Sequence, residues 1–177
     1  STIDTPWLSV DETLTTITTP SINAICGSYL PEWRRGIDYR ITSSAIKAMG
    51  GGVLLDLSHE LDYIQWIVGD IEPEHVISRK ISDLEIDTDD LLFFTGKTES
   101  GTHFHISLDY FTREPVRKLL IDGEGISIQA EFIANTLLVF EDNVSSEFSW
   151  PDLKRNDTYL AQHNAILKDD QSYLCTY

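Results

Sequence analysis

The sequence contains few basic residues for its length. Thirteen Lys and Arg side chains stand against 29 Asp and Glu, so the formal net charge is −16. A surface that binds a phosphate backbone needs clustered positive charge, and this chain lacks it, so no nucleic acid partner is expected. We interpret the acidic excess as a solvated surface, which favours solubility and says little about the fold.

Cysteine is also scarce, and its spacing excludes the common metal-binding and disulfide patterns. Cys26 and Cys175 lie far apart and form neither a CxxC pair nor a zinc spacing. Cys26 lies in an apolar, strand-like stretch, which predicts a buried free thiol and a reducing, cytoplasmic location. His103 and His105 share one face of a predicted strand, but no third ligand is evident, so no metal site is predicted.

Long apolar runs are missing as well. No stretch reaches the roughly 18 apolar residues of a membrane span, and no basic-plus-apolar signal peptide opens the chain. The chain starts at Ser1 without Met and ends at Tyr177, and both ends look like cuts in a longer protein. With 177 residues and 41% apolar side chains, residues 1–177 are predicted to form one domain with a substantial core.

Short motifs of common enzyme and nucleotide-binding families are absent. The sequence has no GxSxG, HExxH, Walker A or EF-hand pattern, and no nucleotide-binding half is visible. Gly50, Gly51 and Gly52 do not form GxGxxG, and they follow a short helix predicted over residues 45–49 with a Ser/Thr cap. Helix termination and close packing therefore explain these glycines better than phosphate binding does.

Apolar alternation of period two dominates the second half of the chain. It predicts strands joined by short turns with no helix between them, which favours an antiparallel sheet over βαβ units. The predicted strands are residues 22–30, 75–81, 90–98, 102–111, 117–122, 125–132 and 136–141. Residues 144–153 fit a loop or a short strand. Helices are predicted over residues 154–168 and, capped by Asp11, near the start of the chain, so the fold class is α+β.

The stretch from Met49 to Asp70 is the main helical prediction and the best candidate for chemistry. Its predicted buried stripe is Leu54, Leu57, Leu61, Ile64 and Val68, and a different side gathers Asp56, His59, Glu60 and Tyr63. Asp56 and His59 are i, i+3 neighbours and can touch. A neutral imidazole near a carboxylate is a competent general acid or base near pH 7. The alternative is a structural histidine and an aspartate that complements the helix N-terminus.

Residues 31–40, PEWRRGIDYR, form a predicted loop with three of the chain's 13 basic residues. Arginine and stacked aromatic side chains in such a loop can bind a polar or anionic small molecule. The alternative is a surface loop held by local Arg–Asp pairs. The residues alone favour neither interpretation.

Four blocks of the sequence together resemble one known family. They are SYLPEWRRGIDYR, GGGVLLDLSHELDYIQWIVGDIEP, DYFTREPVRKLLIDGEGISI and RNDTYLAQHNAIL. The glycine-rich block resembles the start of the C-terminal domain of the Gfo/Idh/MocA oxidoreductases, the glucose-fructose oxidoreductase and inositol dehydrogenase superfamily. The other three are similar to blocks of a subgroup associated with bacterial surface-sugar biosynthesis. The resemblance covers about residues 20–167, nearly the whole chain.

The resemblance implies a fold and a set of partners. It implies a large, mostly antiparallel, open-faced sheet with helices packed on one face, as in the dihydrodipicolinate-reductase-like C-terminal domain. The sheet would carry the contacts of a homo-oligomer, a dimer or tetramer. NAD or NADP would be bound by an N-terminal Rossmann domain that this chain lacks, so the chain alone is expected to bind no cofactor and to be inactive.

The resemblance also implies a reaction, the oxidation or reduction of a sugar, polyol or nucleotide-sugar. His59 matches the family's catalytic histidine and Asp56 is the nearest match to its aspartate, although the spacing here is three residues where many members have four. Substrate contacts are expected from Arg35, Asp38, Tyr39, Arg40, Asn156 and Tyr159. The family's catalytic Lys, in a Glu-Lys-Pro motif, is absent from this chain. The rival hypothesis, favoured by the short spacing, is a non-catalytic binding or assembly domain of the same fold.

Overall fold

Eight strands and three α-helices make up the part of the chain that the computed structural model describes, residues 21–168. The strands are β1 (Ser21–Gly27), β2 (Ile71–Arg79), β3 (Leu91–Thr98), β4 (His103–Asp109), β5 (Val116–Gly123), β6 (Ile126–Glu131), β7 (Thr136–Glu141) and β8 (Val144–Ser149). The helices are α1 (Val53–Asp56), α2 (His59–Val68) and α3 (Arg155–Lys168). The predicted helix at Asp11 and the residues after Lys168 lie outside the described range.

All eight strands belong to one sheet, in the order β2-β3-β4-β1-β5-β6-β7-β8. Strands β2 to β4 and β5 to β8 pair antiparallel with their neighbours, because short turns join them. Strand β1 inserts between β4 and β5, parallel to the first and antiparallel to the second. The predicted α+β class with a large, mostly antiparallel sheet is therefore confirmed.

The two faces of the sheet differ in burial, as the alternation of β4 predicts. Its core-facing side chains are Phe104, Ile106, Leu108 and, just after the strand, Tyr110. Helix α1 contributes Val53 to the same buried cluster, helix α2 contributes Ile64, and Leu57 between them also belongs to it, so both helices pack on this face. On the opposite face His103 is exposed and His105 is half-buried. We call this second side of the sheet the open face.

Both edge strands differ from the predicted pattern. Strand β2 begins at Ile71, four residues before the predicted start, and it includes Pro73. Proline cannot donate a ladder hydrogen bond, and the strand accommodates it at the edge of the sheet with a register shift between Pro73 and His75. Residues 144–149 form strand β8, which decides between the loop and the strand predicted there.

The short helix predicted over residues 45–49 is wrong. Two 3-10 turns, Ser43–Ala45 and Lys47–Met49, replace it, and neither has a side-chain cap. Ile46 lies between them in extended conformation, with φ −117° and ψ 113°, which interrupts helical geometry. Gly50 ends the second turn in the left-handed region at φ 78°, and this terminating role is the predicted one.

The single helix predicted to start after Gly52 and end at Gly69-Asp70 is wrong as a continuous helix. Helix α1 ends at Asp56, Leu57 leaves helical geometry with φ −110° and ψ 21°, and α2 begins at His59. The interruption changes which side chains face the sheet. Glu60, expected on a different side from the leucines, is fully buried at 0% exposure.

Helix α3 agrees with the predicted helix to within one residue. It is exposed along most of its length, and Ala165 is its buried residue among the side chains described.

Within residues 21–168, α1, α2 and α3 all lack the length and apolar content that crossing a bilayer requires.

Candidate active site

The glycine-rich turn fixes where the candidate site begins. A Cβ on Gly51 would lie 2.6 Å from the carbonyl oxygen of Ser44 and closer still to that of Ser43, so only glycine fits this approach. The next residues start α1, where the N–H groups of Val53 and Leu54 donate to the carbonyl oxygen (3.1 Å) and the carboxylate (3.3 Å) of Asp89. The predicted close packing is therefore confirmed at Gly51.

Glu60 is the centre of a buried hydrogen-bond network between α2 and the sheet. Its Oε1 accepts from Nε of Arg117 (2.6 Å) and lies 3.1 Å from Nε2 of His59, and its Oε2 accepts from the Tyr63 hydroxyl (2.7 Å). The thiol of Cys26 lies within 4.8 Å of the same carboxylate. A buried carboxylate costs roughly several kcal/mol without partners, and here Arg117 and Tyr63 donate hydrogen bonds to it while His59 and Cys26 lie beside it.

The network sets the ionisation of its members. Burial raises the pKa of Glu60, but the hydrogen bond from His59 and the charge of Arg117 outweigh burial, so the net pKa lies below its ordinary value. Burial and the Glu60 charge raise the pKa of the Cys26 thiol to about 12 and raise the pKa of the Tyr63 hydroxyl well above its ordinary value. At neutral pH Glu60 is therefore ionised, while Cys26 and Tyr63 keep their protons.

Asp56 has a partner of its own. The Tyr110 hydroxyl donates to Asp56 Oδ2 at 2.6 Å, and burial together with this bond raises the pKa of Tyr110. The predicted contact between Asp56 and His59 is wrong, because the interruption after α1 removes the i, i+3 geometry. The structure pairs Asp56 with Tyr110 and His59 with Glu60.

His59 combines a fixed nitrogen with an accessible ring. Its side chain is 46% exposed, whereas its partner Glu60 is at 0%. One ring nitrogen lies 3.1 Å from Glu60, and nearly half of the side-chain surface is accessible to a ligand. This is the arrangement that a general acid or base requires.

Three of the predicted substrate contacts hold the 31–40 loop in place. Arg40 binds Asp38 through Nε (2.9 Å to Oδ1) and Nη2 (2.8 Å to Oδ2), and it donates from Nη1 to Glu85 (3.0 Å). The hydrogen bonds from Arg40 hold the pKa of Asp38 below its ordinary value. The Tyr39 hydroxyl accepts from the Glu85 N–H at 3.1 Å. The alternative of a loop held by local Arg–Asp pairs thus describes Asp38 and Arg40.

The remaining predicted substrate contacts are exposed. Arg35 lies at the tip of the loop, and its side chain makes no ion pair or hydrogen bond within residues 21–168. Asn156 and Tyr159 lie on the exposed surface of α3, with Tyr159 at 48% exposure. No hydrogen bond or ion pair within the described range joins any predicted substrate residue to His59.

Cys26, His59 and Glu60 also place one potential metal ligand each within 4.8 Å of one another. The Arg117 guanidinium occupies Glu60 Oε1 at 2.6 Å, and the Cys26 thiol, with a pKa of about 12, keeps its proton. To bind a metal ion, the Cys26 sulfur would have to lose its proton, and the metal ion would have to compete with the Arg117 guanidinium for Glu60. The arrangement favours a hydrogen-bonded network over a metal centre.

Sequence reasoning missed Arg117 and the role of Glu60. Arg117 shares one face of β5 with Leu119 and Ile121, and both of these leucine and isoleucine side chains are buried. An arginine in the apolar register of a strand needs a carboxylate partner, and this is the observation that could have located Glu60. The predicted buried free thiol of Cys26 is confirmed.

Acid should reveal the contribution of Glu60 to stability. Its pKa is lowered by folding, so its stabilising effect is complete above the unfolded value of 4.5 and is lost as the pH falls through the folded value. Glu60→Gln should cost about 2 kcal/mol at pH 7, and the gap to wild type should narrow below pH 4.5. Urea unfolding between pH 7 and 3 measures this gap, with exposed Glu124→Gln as the control. A gap that stays constant to pH 3 contradicts the assignment.

The fold and the site together define a class of protein. An open-faced antiparallel sheet carries short helices on one face, and the first of these helices follows a glycine turn and leads to a half-exposed histidine. Residues 21–129 match the model of the GFO/IDH/MocA C-terminal domain, and the chain belongs to this family.

Solved structures share this fold at low sequence identity. Levoglucosan dehydrogenase in complex with NADH and levoglucosan is 15% identical with a TM-score of 0.75, covering 91% of this chain and 52% of that one. An NAD binding oxidoreductase from Klebsiella pneumoniae is 14% identical (TM-score 0.74; 94% and 54% covered). UDP-N-acetylglucosamine 3-dehydrogenase from Acidithiobacillus ferrooxidans is 18% identical (TM-score 0.66; 93% and 50%). The chain spans about half the length of these proteins, and no curated protein matches it.

Proposed function

We propose that the chain is the substrate-binding, oligomerising C-terminal domain of an NAD(P)-dependent oxidoreductase that acts on a sugar or polyol. Membership of the GFO/IDH/MocA family supports this, as do solved structures named for sugar and nucleotide-sugar dehydrogenation. The observation that carries the proposal is His59, which is half-exposed at the end of the glycine-turn segment and held by a buried carboxylate.

The chain's own part in the reaction is proton transfer and substrate placement. Oxidation of a carbinol carbon removes a hydride from carbon and a proton from its hydroxyl oxygen, and reduction reverses both transfers. His59 takes that hydroxyl proton and returns it in the reverse direction. Asp56 lies one residue before the interruption at Leu57, and the Tyr110 hydroxyl holds its carboxylate in place. We assign it a supporting role beside His59.

Two surfaces are proposed to contact the substrate. On the 31–40 loop, Arg35 is free to meet an anionic group, while Asp38 and Arg40 keep side chains 40% and 50% exposed for sugar hydroxyls. Tyr39 of the same loop is also proposed to contact the substrate. On α3, exposed Asn156 and Tyr159 supply an amide and a phenol for hydroxyl contacts.

The proposed cofactor, NAD or NADP, would be held mainly by a different domain. Within residues 21–168, β1 leads into a 3-10 turn and the glycine turn follows another, so neither forms the strand–glycine–helix cradle of a dinucleotide site. When bound, the cofactor supplies the hydride acceptor or donor. The residues of this chain place the substrate and move the proton.

A homo-oligomer through the open face of the sheet is part of the proposal. Partly exposed apolar side chains line this face, among them Ile77, Phe93 and Phe140 at 47%, 38% and 50% exposure. Packing two such faces together would remove these side chains from water. The buried free thiol of Cys26 supports a reducing, cytoplasmic compartment for the assembly.

A non-catalytic binding or assembly domain is the second candidate. The pairing of Asp56 with Tyr110 rather than with His59 favours it, because the histidine then lacks the aspartate of the family's catalytic pair. In this case the full-length protein would bind a sugar without transferring hydride.

Turnover of the full-length protein tests the two candidates. With a panel of nucleotide-sugars, free sugars and polyols, and with NAD and NADP in turn, we expect a substrate-dependent change in nicotinamide absorbance. Residues 1–177 alone should bind no NADH in a fluorescence titration, and light scattering of the full-length protein should give the mass of two or more chains. Ligand binding without turnover would establish the second candidate, and tight NADH binding by residues 1–177 would contradict the first.

A further inference from the structure

Glu60 holds His59 by one particular nitrogen. The distance of 3.1 Å joins Glu60 Oε1 to Nε2 of the imidazole. Within residues 21–168 no hydrogen bond or ion pair reaches the other ring nitrogen, Nδ1. The two nitrogens of His59 are therefore not equivalent.

The chemistry of Glu60 decides which nitrogen carries the proton. An ionised carboxylate attracts an N–H group and repels a nitrogen lone pair, so in the neutral ring Nε2, which lies 3.1 Å from Glu60 Oε1, carries the proton. A neutral imidazole has a single N–H, so its lone pair is on Nδ1. A neighbouring carboxylate orients a catalytic histidine in this way in other enzymes.

The carboxylate cannot turn away from this contact without losing its other partners. Arg117 donates to the same oxygen at 2.6 Å and Tyr63 donates to the other oxygen at 2.7 Å. The Arg117 guanidinium lies 4.9 Å from the centroid of the Phe132 ring, and the Tyr63 ring lies 5.5 Å from the same ring. Arg117 on β5 and Tyr63 on α2 thus hold Glu60 directly, and Phe132 of the β6–β7 turn packs against both of them.

We propose that Glu60 is a positioning residue, which selects the Nε2–H tautomer of His59 and makes Nδ1 the atom that exchanges a proton with the substrate hydroxyl. This inference rests on the proposed function of His59. It places the reacting hydroxyl on the Nδ1 side of the ring, away from Glu60. Arg117 and Tyr63 act through Glu60 by holding it in place.

The tautomer can be observed directly in the full-length protein labelled with ¹⁵N-histidine. In a neutral imidazole the protonated and unprotonated nitrogens have well-separated ¹⁵N shifts, and the His59 signals are assigned by their loss in His59→Asn. When the ring is neutral, we expect Nε2 to be the protonated nitrogen in wild type. Protonation at Nδ1 in wild type overturns the proposal, and this measurement requires no Glu60 variant to fold.

Glu60→Gln then separates positioning from simple structural support. The amide nearly preserves the shape but can also donate, so the two tautomers of His59 should become mixed. The kcat should fall by at least about tenfold with little change in KM. Glu124→Gln should change neither quantity. A folded Glu60→Gln protein with an unchanged tautomer and unchanged kcat overturns the proposal.

These measurements also distinguish the inference from the function on which it rests. An Nε2–H tautomer in a wild-type protein without turnover contradicts the proposed oxidoreductase and the catalytic use of Nδ1 alike. An active protein with the Nδ1–H tautomer contradicts only the role of Glu60.

Discussion

Replacement of His59 by Asn should lower the turnover of the full-length protein by about 10²–10⁴-fold, the usual contribution of a positioned acid or base. Asparagine retains a polar side chain but offers no group that takes a proton near neutral pH. The buried partner Glu60 keeps Arg117 and Tyr63, so the fold should persist. Absorbance of the nicotinamide under saturating substrate measures the loss.

The control variant is His75→Asn, which changes an exposed histidine on the edge strand β2. Its turnover should equal that of wild type, and NADH should bind all three proteins with similar affinity. If His59→Asn turns over at the wild-type rate, His59 has no part in the mechanism. If the His59→Asn protein loses NADH binding together with turnover, the substitution has disturbed the structure rather than the proton transfer.

Gly51→Ala should destabilise the protein by about 3 kcal/mol or more, since a Cβ there would overlap two carbonyl oxygens of the backbone. Backbone cannot move aside as a flexible side chain does, so the two 3-10 turns before the glycines must shift. For a chain of this size the loss corresponds to a fall in melting temperature of about 6–12 °C. Thermal unfolding followed by circular dichroism gives the value.

Gly50→Ala is the matched control, because Gly50 precedes Gly51 directly and has a different constraint. Nothing lies within 4 Å of a Cβ at Gly50, but its φ of 78° is left-handed. Alanine in that conformation should cost about 1–2 kcal/mol. Equal losses for the two variants would show that close backbone packing at Gly51 is not what the turn requires.

Alternation was a sound guide to the sheet because each strand buries one face. Along β4 it separates Phe104 and Ile106 from His103 and His105 without ambiguity. At the edges it fails, since β2 and β8 are largely exposed on both faces and the period-two pattern weakens. Pro73 added a second misleading feature, because it is tolerated only on an edge strand.

The site was less predictable, for a physical reason. Helical spacing assumes a continuous helix, and the interruption at Leu57 breaks the register between Asp56 and His59. His59 was proposed as the catalytic group from its chemistry. Helical spacing placed Glu60 on the same side as His59, away from the leucines, and did not predict that this carboxylate is fully buried. Only the tertiary contact with Arg117, 57 residues further along the chain, explains why Glu60 is inside.

The position of β1 constrains how the chain can acquire its structure. This strand comes first among the described elements, yet it is the fourth strand of the sheet, and its partner Phe104 is far along the chain from Ile22. Its two ladders cannot form until β4 and β5 have been synthesised. Such distant pairings slow folding, and until they form the edges of β4 and β5 stay open to other chains. During synthesis β1 therefore cannot take its place in the sheet until β4 and β5 have been made.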